Sequence, residues 1–433
     1  MFSQINFLKD EIDNFKNDRF VNNLIIILYS LFPVFLIIGT ALSELAIILL
    51  CFYFIYNFFF KKENIFKNKL FYFLIFIYLA LIINLIFSLN ISNSFFRNLF
   101  FIKYIIFILG TINFLSKKKF RISILFKIWS IILAIFALDM FIQFFLGKNL
   151  VGIESPLKFH RVSGFMGDEL KAGSLILFFC FIVSGYLIDN DKNKIKGLIL
   201  LFLFIATIFI TGDRSNFLKS IVISFCLIFF IDRRLINKFI ILFLIMVSFV
   251  FFIISTQEVF KARFNNSLFK NLSQNNFNIV KFVNKTEYGK IFNSAYQLFL
   301  KKKTFGVGNK NFRILCEKDF QKKYPFTKNL EGAKCNTHPH QIYFEILVEH
   351  GIFGFSILII TLLSFIYQNF RFILKTKNFL LSSLFFSNLV VFIPILPGGS
   401  FFTSFNAIIF WLNISLFYAY KNICKKERGL LSE

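Results

Sequence analysis

Three of the four histidines in this 433-residue chain fall within residues 337–351, THPHQIYFEILVEHG, where a polar stretch gives way to an apolar run. An imidazole titrates near pH 6.5 and, at a wet helix end, can take a proton from a hydroxyl, so His340 is a candidate general base. Pro339, just before it, suits a helix start. On a helix running on from His340 at about 100° per residue, Leu347, Gly351 and Gly354 fall within about 40° of it, a smooth strip that lets another helix or a lipid chain approach closely. The alternative is a histidine that only anchors the helix at an interface. His338 is a second imidazole within reach of the same place. Glu349 lies about 13 Å further along such a helix, on the opposite face, an ionisable group inside the bilayer that would contact neighbouring helices.

Arginines supply the complementary chemistry. In TGDRSNFLKS, Arg214 sits between two apolar runs in a connection too short to leave the membrane surface. Gly212 and Asp213 make the turn, and Ser215 could cap the next helix. A guanidinium presents a planar donor fork that matches phosphate, or it pairs with Asp213. FHRVSGFMGDELKAGSLI carries Arg161 in a loop, with Asp168 and Glu169 at a helix entrance, where acidic side chains complement the helix dipole. FKARFNNS places Arg263 one or two helical turns after an apolar run.

The elements that must position these groups are apolar helices. The chain is 57% hydrophobic with 71 Phe, in unbroken apolar blocks rather than the alternating ~10-residue segments of a β-barrel. The expected fold is all-α and polytopic, about twelve transmembrane helices with one large periplasmic loop. The predicted spans are 24–39, 42–60, 70–89, 95–115, 123–146, 171–188, 195–211, 215–231, 235–255, 340–367, 380–396 and 403–420. They group as an N-terminal bundle at 1–255, a large loop at 256–339 and a C-terminal bundle at 340–433. Lys and Arg concentrate in alternate short connections, which places both termini in the cytoplasm. This bias accounts for the net charge of +26 without nucleic acid as a partner. No cleavable leader is expected from the polar, mixed-charge start, MFSQINFLKDEIDNFKNDRF. The loop 256–339 holds 16 Lys+Arg and five Asp+Glu, and a segment this long crosses regardless of its charge. Helix is expected within it at TEYGKIFNSAYQLFLKKK. This topology puts His160, His338, His340 and His350 on the outer side. Cys316 and Cys335 share the loop and could form a disulfide in an oxidising space. Cys51, Cys180 and Cys226 lie in apolar runs as small core residues, and no cysteine spacing suggests a metal.

His340-Gln341, nine residues, then Gly351-Ile-Phe-Gly354 resembles the motif of the O-antigen ligase and O-antigen polymerase superfamily, whose members carry about twelve spans and a large periplasmic loop just before that histidine. Their usual second residue is Asn, where this chain has Gln341. TGDRSN resembles the family's Gly-x-Arg turn at Gly212 and Arg214. RVSGFMGDELKAGS and the glycine-rich FGVGNKNFR at 305–313 resemble two further family stretches. The resemblance implies an inner-membrane glycosyltransferase that works without metal or other cofactor. Its donor would be an undecaprenyl-diphosphate-linked glycan and its acceptor lipid A-core or another glycan, with membrane lipid around it. His340 would be the base, Arg214 and Arg263 the diphosphate ligands, and Arg161 and His338 further substrate-binding candidates. Arginines can replace a cation on a diphosphate leaving group. Three readings stand: a ligase, a polymerase or protein-glycosylating relative, and a polysaccharide transporter. The large loop and the lack of two-half repeat symmetry weigh against the transporter.

Overall fold

The computed structural model describes residues 20–60, 69–155, 161–190, 194–263, 278, 286–316 and 334–430. His160, the start of the chain and much of the loop 256–339 lie outside these residues.

Helices follow the apolar blocks. The first group is α1 (Phe20–Ser30), α2 (Phe32–Ile38), α3 (Thr40–Phe60), α4 (Lys69–Ile86), α5 (Ile91–Leu99), α6 (Ile102–Ser116) and α7 (Lys119–Leu146). The middle group is α8 (Ala172–Asn190), α9 (Lys194–Ile210), α10 (Arg214–Ile228), α11 (Arg233–Thr256) and the short α12 (Glu258–Lys261). The long loop contributes α13 (Glu287–Lys301), as expected, and α14 (Ile342–Thr376), α15 (Phe379–Leu389) and α16 (Ser404–Glu427) complete the chain.

Each predicted span contains helix, but the helices are unequal. Among the described residues seven are long and apolar enough to cross a membrane, and the α1–α2 pair, bent by 46°, makes an eighth. The protein is therefore a multi-pass membrane protein. The count falls short of twelve by four because α4, α9, α10 and α15 have only 18, 17, 15 and 11 residues, the apolar part of α4 being Leu70–Ile86, against the ~20 that a hydrocarbon core requires. Pro33, in the first turn of α2, has no N–H to continue α1, and the chain bends there.

Two helices form the centre. In α8 and α16, 83% of the apolar window is buried within the bundle, against 17% in α11. Ile240, Ile241, Leu244, Ile245, Phe251 and Phe252 of α11 are exposed and so make a lipid-facing surface. Buried amides join the central helices: Asn413 Nδ2 donates to Phe178 O at 3.1 Å and Asn388 Nδ2 to Asn413 O at 3.2 Å. In an apolar medium such bonds fix register, since each orphaned polar group would be costly.

Candidate active site

The arginines are set by turns that the helix ends build. Gly212 (φ +70°) closes the α9–α10 turn. Asp213, not Ser215, caps α10: its carboxylate accepts Asn216 N–H at 3.2 Å and Asn216 Nδ2 at 2.7 Å. Asn216 also donates to Ser174 Oγ on α8 at 2.8 Å. A Cβ on Gly173 would lie 2.7 Å from Thr211 Oγ1, so only glycine lets this turn seat on α8. Arg214, the first residue of α10, is held between them. Its Nη1 donates to the carbonyl of Arg263 at 2.8 Å, just beyond α12.

Arg161 arrives from the other side. Gln143 of α7 accepts Ser163 N–H at 3.0 Å and Gly164 N–H at 2.8 Å, pinning the loop that follows Arg161. Ser155 Oγ donates to the Arg161 carbonyl, and Arg161 Nε is buried without a hydrogen-bond partner. Glu169 pairs with Lys171 at 2.6 Å instead of serving the dipole of α8. Burial, then the positive charges of Arg214 and Arg161, push the Arg263 guanidinium below its ordinary range, with Asp213 and Tyr288 opposing. Like charges that act on one another in this way can accommodate a multivalent anion.

His340 does not begin the long helix. It sits at φ +58°, a left-handed conformation that a side chain adopts at a cost, and its carbonyl accepts Gly398 N–H at 2.7 Å. The helix starts at Ile342, capped by Gln341, whose amide oxygen accepts Tyr343 N–H at 2.6 Å. Gly351 then breaks it, with φ 67° and ψ −167°. The helical face predicted to join His340 to Gly351 and Gly354 therefore does not exist. Gly351 instead meets the backbone of Thr304 and Gly306, so its close approach serves the glycine-rich segment of the long loop. Ile352 N–H donates to Lys303 O at 2.8 Å, Phe353 N–H to Thr304 O at 3.1 Å, Val307 N–H to Val348 O at 3.0 Å and Gly308 N–H to Glu349 O at 2.9 Å. Glu349 is buried against that segment, its carboxylate meeting the N–H groups of Lys310 and Phe312. The predicted helix-to-helix contact is a loop contact.

The two imidazoles stand side by side, ring centres 3.9 Å apart. Thr337 Oγ1 is 3.0 Å from His338 Nδ1, and His338 Nε2 is buried without a partner. Burial pushes His338 down to about 4, reinforced by the Lys310 charge. Burial likewise pushes His340 down to about 4, reinforced by His338 and opposed by a backbone hydrogen bond with Gly398 and the Glu345 charge. Both rings are neutral at pH 7, as a base must be. Only His340 has a carboxylate to stabilise the imidazolium that proton abstraction creates.

Several contributors are invisible in the sequence pattern. Lys310 Nζ lies 3.5 Å from buried Glu345 and contacts Ser400 Oγ, which in turn donates to Glu345. Phe401 N–H donates to the same carboxylate at 2.9 Å. Lys219, 4% exposed, donates to Pro397 O at 2.8 Å, and Ser215 Oγ donates to the same carbonyl. The segment Ile395–Phe401 is thus clamped between α10 and the histidines. Its only sequence signal is Pro-Gly-Gly interrupting an apolar run. The chain's Asp-x-Asp, Asp189-Asn190-Asp191, lies at the opposite end of α8 from Gly173, and Asp189 accepts Leu380 N–H at 2.7 Å. Asp191 lies outside the described residues. No His/Cys/Asp/Glu cluster among the described residues could hold a metal ion.

Residues 199–359 match the family model described as O-Antigen ligase, a stretch that holds Arg214, Arg263, Tyr288, the glycine-rich segment, His338, His340 and Gly351. This match over part of the chain supports its likeness to the O-antigen ligase superfamily. Arg161 and the Ile395–Phe401 segment lie outside the matched stretch. No curated protein matches the chain. Members of this superfamily are glycosyltransferase-like enzymes with lipid-linked glycans as substrates. A lipid-compatible space adjoins the candidate site: an apolar cavity of about 490 Å³ between α4, α14 and α16, with His350 and Asn84 among the few polar groups in its wall.

Cys316 and Cys335 are disulfide-bonded, with Cα atoms 5.4 Å apart. Cys51, Cys180 and Cys424 are buried thiols and Cys226 is half-buried.

Proposed function

We propose that the protein is an O-antigen ligase-like glycosyltransferase of the bacterial inner membrane. It moves a glycan from undecaprenyl diphosphate to a lipid A-core acceptor, without a metal. The observation that carries this reading is Arg214 hydrogen-bonded to the Arg263 backbone, with the Arg161 charge acting on Arg263, in the same protein as a neutral His340 that Tyr288 of the long loop stands against. The Cys316–Cys335 bridge supports a periplasmic site, since that compartment is oxidising. With the charge bias of the short connections, it also supports cytoplasmic termini.

The chemistry balances with side chains alone. The bond between the anomeric carbon and the diphosphate oxygen breaks, and its electron pair leaves on the diphosphate. Arg214, Arg263 and Arg161 stabilise the charge that develops there. An acceptor hydroxyl oxygen forms the new bond to the anomeric carbon and gives its proton to His340, with Glu345 stabilising the resulting imidazolium. Bound diphosphate raises the affinity of His340 for that proton, so the base strengthens when the donor is in place.

Lipopolysaccharide from a deletion strain tests the reading. Undecorated core together with full-length carrier-linked polymer is expected. A single repeat unit on the core would make the protein a polymerase. A transporter would form no new glycosidic product when purified in detergent.

A further inference from the structure

The loop helix α13 is amphipathic, and most of its side chains have a plain structural use. Thr286 caps it by accepting Gly289 N–H at 3.1 Å. Ile291, Ala295, Leu298 and Phe299 pack on Val307, Phe312, Cys316 and Val348. Phe292 stacks on Phe344 of α14 with ring centres 4.9 Å apart. Tyr288 belongs to none of this. It is 41% exposed, yet its ring stands edge-on to His340 at 5.4 Å and 72°. The turn that carries it is fastened from behind. Lys334 Nζ pairs with Glu287 at 2.7 Å, and Lys334 N–H donates to Ser294 Oγ at 2.9 Å. Lys334 is the neighbour of Cys335 in the disulfide.

We propose that Tyr288 is a positioning residue for glycan transfer, its ring holding the His340 imidazole, on a helix locked in place through Lys334 and the Cys316–Cys335 bridge. The inference rests on the proposed function above. The long loop is then part of the active site rather than a cover: the base comes from the segment just before α14, and what orients it comes from α13. The groups facing His340 are Tyr288 from α13, His338 beside it and Glu345 from α14, with Lys310 behind His338. Of these Tyr288 is the one supplied by the loop helix.

The test is steady-state transfer by the full-length protein in lipid nanodiscs, with carrier-linked glycan and acceptor extracted from the host, across pH. Tyr288→Ala is expected to lower kcat on the order of tenfold, the upper end for one aromatic contact. It should also move the acidic limb of kcat/KM upward, because water reaches the imidazole. Tyr288→Phe keeps the ring, so kcat and the acidic limb should stay close to wild type, kcat within about threefold. Tyr296→Ala, on the same helix with its ring against Phe299, should change neither. If Tyr288→Ala does not fold, Tyr288→Leu carries the same expectation. Wild-type kcat and an unmoved acidic limb in the Ala or Leu variant would overturn the proposal, as would equal kcat losses in Phe and Ala. His340→Ala run in parallel separates the two claims. Activity there removes the base itself, whereas a dead His340→Ala beside an unaffected Tyr288→Ala removes only Tyr288.

Discussion

Gly351→Ala is expected to undock the glycine-rich segment from α14. The residue occupies φ 67° and ψ −167°, a region essentially confined to glycine, at a strain of about 1–3 kcal/mol for any side chain. The new Cβ would lie 2.4 Å from Thr304 O and 2.5 Å from Gly306 N, both backbone atoms that no rotamer change can withdraw. The segment must retreat by about an ångström to reach ordinary contact. That retreat breaks at least two of the four bonds at Lys303, Thr304, Val307 and Gly308, each worth about 1 kcal/mol. The local docking energy should therefore fall by about 3–5 kcal/mol, and the undocked population should rise at least a hundredfold. Lys301, Lys302 and Lys303 are exposed beside the segment, so the assay is the rate of tryptic cleavage there in detergent-solubilised protein. The rate should follow the undocked population. Gly39→Ala, whose Cβ meets nothing within 4 Å, is the control. A wild-type cleavage rate in Gly351→Ala would refute the reasoning.

Arg214→Ala should raise the donor KM about ten- to a hundredfold, since a charge-assisted contact contributes about 1.5–3 kcal/mol. Arg214→Lys should recover only part, because an ammonium lacks the fork. In the free enzyme His340 loses its proton near about 4, so the acidic limb of kcat/KM should lie near pH 4 and that of kcat higher, once bound diphosphate favours the imidazolium. For stability, both folded histidines titrate at about 4, below the unfolded value near 6.5, so the unfolded chain binds more protons between these values. Their contribution is complete above about pH 6.5 and is lost as pH falls toward 4, which thermal unfolding across that window measures. Cys335→Ser should destabilise the described part of the loop by about 3 kcal/mol in the chain-entropy model, seen as faster hydrogen exchange across Glu287–Lys301.

What the sequence made legible was what needs only composition and rarity. Helix appears in every apolar block because nothing but internal hydrogen bonding satisfies a backbone in lipid. His340, His338, Arg161, Arg214 and Arg263 were legible as candidates because titratable groups are few near the ends of such blocks; the structure sets His338 beside His340 and Arg214 against Arg263. The helix-wheel link from His340 to Gly351 was not a safe reading. It assumed a continuous helix, and both a left-handed His340 and a broken Gly351 depend on partners far along the chain, Gly398 and Thr304–Gly306. Ser215 had the right residue type for a cap, but Asp213 was better placed and Ser215 went to Pro397. Tyr288, Lys219 and the Lys310–Glu345 pair were hidden for the same reason: each acquires its partner only when the long loop and the Ile395–Phe401 segment fold back onto the histidines. The bend between α1 and α2 follows from Pro33, which the span 24–39 ran through, and the interruption at Phe100–Phe101 between α5 and α6 lies between Arg97 and Lys103 in a stretch read as one span.

The most direct measurement is transfer of carrier-linked glycan to acceptor by purified protein in the presence of EDTA, comparing wild type, His340→Ala and the Arg214→Ala/Arg263→Ala double variant. The wild type should form product undiminished by EDTA. His340→Ala should lose at least about a hundredfold in kcat while remaining folded, the usual worth of a general base, and the double variant should fail at donor concentrations that saturate the wild type. Strict dependence on added Mg²⁺ or Mn²⁺, His340→Ala activity within about threefold of wild type, or full activity in the double variant would contradict the account.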